Sequence, residues 1–107
     1  MQAMELKAEK VTGLLKGLAN IHRIKVLCQL ADGEKSVSAL IKATGIAQTS
    51  MSQHLLKLRD EGIVDYRREH RTLFYFVTDK VALEIMHVLH KNFCPPKPTK
   101  KKRKKEK

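Results

Sequence analysis

The sequence predicts a mainly α-helical single domain that carries one β-hairpin near its end. Three features predict it: apolar residues at helical spacing along most of the chain, two adjacent β-rich runs between residues 63 and 77, and a length of only 107 residues. That length holds one domain and little more. A hydrophobic share of 42% with no Trp and 5% aromatic residues suits an aliphatic core between helices. The longest apolar run, Leu73 to Val77, is far too short to span a membrane. Glu5, Lys7, Glu9 and Lys10 interrupt the start, where an export signal would be apolar. The expectation is a cytoplasmic protein with no membrane partner.

Met4, Ala8, Val11, Leu15 and Leu18 recur every three or four residues and define a first amphipathic helix, which Leu14 widens. Asn20 is the expected N-cap of a second helix with Ile24, Leu27, Cys28 and Ala31 as its buried face. Asp32-Gly33 ends it. Ser36 caps a short third helix with Val37, Leu40 and Ile41 inward, and Gly45 stops it.

The segment from Ile46 to Glu61 is the most informative. Met51, Leu55 and Leu58 mark its buried side, with His54 on the margin. At roughly 100° per residue, Thr49, Ser52, Gln53 and Lys57 point outward, flanked by Ser50. Small polar and amide side chains are poor helix formers. They do suit base edges, because Gln can pair with adenine and Ser or Thr with base or phosphate. By itself this face is equally consistent with ordinary solvation.

Its surroundings decide between the two. Gly62 ends the helix, and Ile63 to Arg68 and Thr72 to Val77 read as two strands. Arg67, Arg68, His70 and Arg71 crowd the hairpin tip, with Glu69 among them. A short helix, a Gly turn, a polar-faced helix and a basic-tipped hairpin together make a winged helix-turn-helix, with the hairpin as a wing that grips the phosphate backbone or the minor groove. Thr78-Asp79 then opens a last helix with Val81, Ala82, Ile85, Met86, Val88, Leu89 and Phe93 apolar, closed by Pro95-Pro96. The first and last helices carry more apolar surface than one small domain buries. We therefore expect a homodimer built on these two helices, with recognition helices ~34–36 Å apart on double-stranded DNA.

The formal net charge is +11, from 22 Lys+Arg against 11 Asp+Glu. Residues 95–107 hold most of it, in a run from Lys100 to Lys105 that repels itself and has nothing apolar to bury. The expected organisation is a DNA-binding and dimerisation domain over 1–94 and a disordered polybasic tail over 95–107. Such a tail seeks polyanions, nucleic acid first. A non-specific architectural DNA-binding protein acting through the tail is the alternative from outside the regulators. No Gly-rich phosphate loop, paired carboxylates or nucleophile–base motif points to an enzyme.

Two cysteines cannot build a disulfide scaffold. Cys94 has His90 and Lys91 one turn before it, which favour a thiolate, while the helix C-terminus opposes one. Cys28 has Lys25 nearby but lies on an apolar face, where a neutral thiol is ordinary. Position alone favours two core residues.

Leu18-Ala19-Asn20, Arg23-Ile24, Val26-Leu27 and Ser36-Val37 with Leu40, then Gln48-Thr49, Ser52-Gln53-His54-Leu55, Leu58-Arg59 and Gly62-Ile63-Val64, resemble the ArsR/SmtB family of bacterial winged-helix regulators. Arg67-Arg68 and Leu73-Phe74-Tyr75 complete the likeness over about residues 10 to 94. The resemblance implies a homodimeric, operator-binding transcription regulator, a repressor released by an inducer, acting at the bacterial nucleoid. It implies DNA contacts from Gln48, Thr49, Ser50, Ser52, Gln53, His54, Lys57, Arg67, Arg68, His70 and Arg71.

Metal-sensing members carry a Cys-x-Cys pair where this chain has Ser36-Val37-Ser38, and serine hydroxyls do not replace thiolates. Asp79, His87 and His90 do not match the spacing of the family's other metal site. No metal or cofactor is expected; a metal-responsive repressor using Cys28, Cys94 and His90 is the alternative within the family. Leu27-Cys28 and Leu89-His90 with Phe93-Cys94 are similar to the subgroup typified by BigR, SqrR and HlyU, which senses reactive sulfur species or oxidants. That likeness implies that Cys28 and Cys94 join through a disulfide or a polysulfide bridge.

Overall fold

Local signals in the sequence set most of the element boundaries in the computed structural model, which describes residues 7–94. In chain order these are α1 (Ala8–Leu18), α2 (Ile21–Leu30), β1 (Lys35–Ser36), α3 (Val37–Thr44), α4 (Gln48–Asp60), β2 (Val64–Glu69), β3 (Thr72–Val77) and α5 (Lys80–Phe93). Asn20 Oδ1 accepts the backbone N–H of His22 at 2.9 Å and of Arg23 at 3.1 Å, satisfying two donors at the start of α2. Ser36 Oγ accepts from Ala39 at 3.1 Å, and Asp79 Oδ1 accepts from Ala82 at 2.9 Å. Gly45 closes α3 at φ 75, and Gly62 turns the chain from α4 toward β2 at φ 77, conformations that carry little penalty without a Cβ. Arg23 donates from Nε to Gly17 O at 2.7 Å and from Nη2 to Lys16 O at 3.1 Å, so α2 caps the end of α1.

The hairpin is part of a three-stranded antiparallel sheet in the order β1-β3-β2. β1 has no sequence signal, because two residues are too few to display an alternating pattern; it pairs Lys35 with Tyr75 and Ser36 with Phe74. The hairpin register runs from Val64 opposite Val77 to Glu69 opposite Thr72. The first hairpin strand starts one residue later than expected. Ile63 is fully buried in the turn, and its carbonyl accepts the N–H of Thr78.

The core runs through Val26, Leu27, Leu30, Leu40, Met51, Leu55, Leu58, Ile63, Val64, Tyr75, Ala82 and Met86. On α2 the buried face is Val26, Leu27 and Leu30, rotated from the expected one; Ile24, Cys28 and Ala31 are half-buried. The reason is that α2 packs against α1, α3, α4, α5 and β3 together, so more than one stripe is covered and periodicity cannot rank them. On α1 the domain buries only Gly17 and Leu18, with Leu14 half-buried, while Ala8, Val11 and Leu15 stay exposed. A Cβ on Gly17 would stand 2.6 Å from Ile63 Cδ1, so this glycine lets α1 approach the start of the hairpin. Among the described residues no helix is long and apolar enough to cross a membrane. Met4 of the expected first-helix stripe and the basic segment 95–107 lie outside the described residues.

Candidate nucleic-acid interface and cysteine pocket

Residues Gly45, Ile46 and Ala47 join α3 to α4, the helix-turn-helix geometry. Ile46 is buried in the turn and fixes the angle at which α4 leaves it. Ala47, the N-cap of α4, offers no side-chain acceptor, so the amide groups of the first turn face outward without a cap. Gln48, Thr49, Ser50, Ser52, Gln53 and Lys57 are all exposed on α4. Lys57 reaches Glu61 at 3.4 Å, a surface pair weak enough to be exchanged for a phosphate.

His54 stands apart from the others. It is half-buried, with its ring 5.5 Å from that of His22 at the start of α2. Burial, then the Arg23 guanidinium, then His22 hold its imidazole below the usual range, so it is neutral near pH 7. It can donate or accept one hydrogen bond at an interface but brings no charge.

Two solvent-exposed Arg–carboxylate pairs form struts between the wing and the domain. At its base Arg59 donates from Nε to Asp65 Oδ1 at 2.9 Å, with the guanidinium 4.6 Å from the Tyr66 ring centre. The Tyr66 backbone N–H, and then Arg59, hold the Asp65 carboxyl below the usual carboxylate range. Halfway along, Arg67 Nε donates to Glu34 Oε1 at 2.7 Å, its Nη1 lies 3.4 Å from Glu69 Oε1, and its guanidinium covers Phe74 at 4.6 Å. Arg67 is therefore engaged within the fold. Arg68, His70 and Arg71 are exposed and have no ion-pair partner among the described residues. His70 takes φ 59 at the first central position of a two-residue turn, the positive φ that such hairpins require. Arg71 lies across a cleft of ≈ 320 Å³ from Gln48 and Ser52, so the wing tip flanks the start of α4.

Sequence reasoning missed both struts. Glu34 lies 33 residues from Arg67, and no local pattern joins them. It also missed Leu56, which is 57% exposed on α4 although its neighbours Leu55 and Leu58 are in the core.

Cys28 and Cys94 stand 66 residues apart in sequence and line one pocket of ≈ 220 Å³ between α2 and α5. Ile24, Met86, Leu89, His90 and Phe93 complete its walls. Both cysteines are free thiols and half-buried. Burial, and secondarily the neighbouring Cys94, push the Cys28 thiol up from its ordinary range, so Cys28 is protonated near neutrality. His90 shares the pocket, yet among the described residues no three His, Cys, Asp or Glu side chains group closely enough to hold a metal ion. Asp79 is taken up as the cap of α5, and His87 is exposed.

A family model described as bacterial regulatory protein, arsR family, matches residues 22–66, from the start of α2 to the second strand. The transcriptional activator HlyU of Vibrio cholerae is 37% identical over 94 residues, covering 88% of this chain and 87% of that protein. The structure of its reduced form superposes with a TM-score of 0.83, covering 89% of this chain and all of the other. The transcriptional repressor BigR of Xylella fastidiosa is 38% identical with a TM-score of 0.80, covering 89% and 97%. A winged helix-turn-helix DNA-binding domain from Mycobacterium bovis, described as homodimeric, is 29% identical with a TM-score of 0.74, covering 84% and 83%.

Proposed function

The chain belongs to the ArsR family of bacterial regulatory proteins, beside HlyU and BigR, and from that premise we propose that it is a homodimeric operator-binding repressor switched through Cys28 and Cys94. It is a transcriptional regulator and not an enzyme. The observation that carries the switch is the shared pocket: two thiols from different helices face one apolar space with no other cysteine in the chain. α4 presents Gln48, Thr49, Ser50, Ser52 and Gln53 to the major groove, with Lys57, Arg68, His70 and Arg71 on the backbone, while His54 and Arg67 orient these elements. The exposed apolar residues of α1 and α5 meet their counterparts in a second copy. The polybasic segment 95–107 adds phosphate contacts without reading sequence, in the cytoplasm at the nucleoid.

The inducer is a reactive sulfur species such as a hydropersulfide, RS–SH, or an oxidant of equivalent chemistry. One cysteine thiolate attacks the outer sulfur and displaces RS⁻, which leaves as the thiol RSH after taking a proton. The second cysteine attacks the cysteine-bound sulfur of the resulting Cys–S–SH, expelling HS⁻, which leaves as H₂S. Two thiols are oxidised to one disulfide and the persulfide sulfur is reduced. The polysulfide bridge needs a second RS–SH, which converts Cys–S–SH to Cys–S–S–SH with release of RSH. The second cysteine then attacks the middle sulfur and expels HS⁻, leaving one sulfur atom between the two cysteines. The new covalent link ties α2 to α5. Because α5 also serves the dimer, the link changes the separation of the two recognition helices and weakens binding to a fixed half-site spacing.

The test is a titration of the gene's own upstream duplex, comparing reduced and polysulfide-treated protein at ~0.15 M salt with random competitor. Treatment should weaken operator binding by roughly tenfold or more, reversed by reductant. Cys28→Ser and Cys94→Ser should each bind as the reduced protein does and ignore polysulfide. A full response in either single variant would refute the paired mechanism.

A further inference from the structure

α4 is hemmed in on three sides, and what lies on the fourth is informative. Its inner side is filled by Met51, Leu55 and Leu58, each 1% exposed or less. On one flank Gln48 and Ser52 face the wing across the cleft and Arg59 binds Asp65. On the other, Lys57 and Glu61 line a groove against α1, and His54 meets His22. The outward ridge between these flanks consists of Thr49, Gln53 and Leu56, all exposed. Asp60, also exposed, follows one turn later.

A leucine on this ridge, 57% exposed, stands outside the core. The core beneath it is complete without it, and the apolar faces of α1 and α5 are carried on other elements. Its neighbours are side chains that hydrogen-bond to base edges, so its natural counterpart is the one apolar group that a base edge offers in the major groove, the thymine 5-methyl. The charges agree. Lys57 on one flank and Arg71 across the other can meet the two phosphate edges of a groove, and the Asp60 carboxylate, repelled by phosphate, ends the reading surface one turn past Leu56. Resting on the operator-binding reading above, we propose that Leu56 is a specificity-determining residue that packs on a thymine methyl beside the bases read by Thr49 and Gln53.

Selection of binding sites from a random duplex pool, with wild type and with Leu56→Ala, tests this. Wild type should enrich a thymine at a position where Leu56→Ala accepts any base, with the preferences elsewhere shared. Replacing that thymine by uracil, which removes the methyl and keeps every hydrogen-bonding group, should weaken wild type about fourfold and leave Leu56→Ala unaffected. Identical preferences in the two proteins, or equal sensitivity to uracil, would overturn the assignment while leaving operator binding intact. Failure of wild type to enrich any sequence would overturn operator binding itself, and the role of Leu56 with it.

Discussion

The two working ends of this molecule handle apolar surface in opposite ways. At the helix-turn-helix end the exposed surface of α4 is polar, its single exception is Leu56, and the wing beside it is fastened by ion pairs. At the end formed by α1 and α5, Val11, Leu15, Val81, Val88 and Phe93 remain exposed, Phe93 by 80% and Leu15 by 51%. The first end exposes mostly polar side chains, the surface that the proposed function assigns to DNA. In the homodimer proposed above, the second is completed by another copy, which would cover these large apolar groups. The cysteine pocket sits where the two meet, with one wall on α2, which supports the reading end, and the other on α5.

That contrast can be broken most forcefully at the apolar end. Leu15→Asp or Phe93→Asp should leave the monomer folded, because neither side chain is in the core, yet should prevent self-association. DNA affinity should then fall by roughly a hundredfold, the advantage that two linked half-sites hold over one. Sedimentation velocity beside the DNA titration decides the matter. An intact dimer in both variants would move the interface elsewhere.

At the reading end, the difference between Arg71 and Arg67 sharpens the comparison. Arg71→Ala should flatten the dependence of log affinity on log salt by about 0.9 for each phosphate that is no longer neutralised. Arg67→Ala should leave that slope nearly unchanged and act on the wing, lowering amide protection along β2 when Glu34 and Phe74 are left without their partner. Equal slopes for the two variants would mean that Arg67 lets go of Glu34 to grip DNA.

The smallest effect concerns how α1 is seated. Gly17→Ala must displace the fully buried Ile63, and should destabilise by about 1–2 kcal/mol once the gain in helix propensity is subtracted. At Gly13 the new methyl meets only Glu61 Oε1, 2.7 Å away at the end of a flexible side chain, so Gly13→Ala should be neutral or stabilise by up to ~1 kcal/mol. Thermal unfolding of both variants measures the pair. A Gly17→Ala protein as stable as wild type would show that α1 does not need its close approach to the hairpin.

What the sequence determined by itself was mostly what depends on near neighbours along the chain. Asn20, Ser36 and Asp79 cap helices because a short polar side chain reaches amides two or three residues on. Gly45 and Gly62 stop them because they tolerate positive φ, and the outward polar face of α4 follows from its period. Tertiary structure decided what depends on residues far apart in sequence. It buried Val26 and Leu30 in place of Ile24 and Ala31, because five elements close around α2. It added β1 to the sheet, turned His54 toward His22, and gave Arg67 to Glu34. It also brought Cys28 and Cys94 to one pocket across 66 residues. Spacing along a chain reports which side of a helix a residue occupies, but only the packing of helices against one another determines what that side meets.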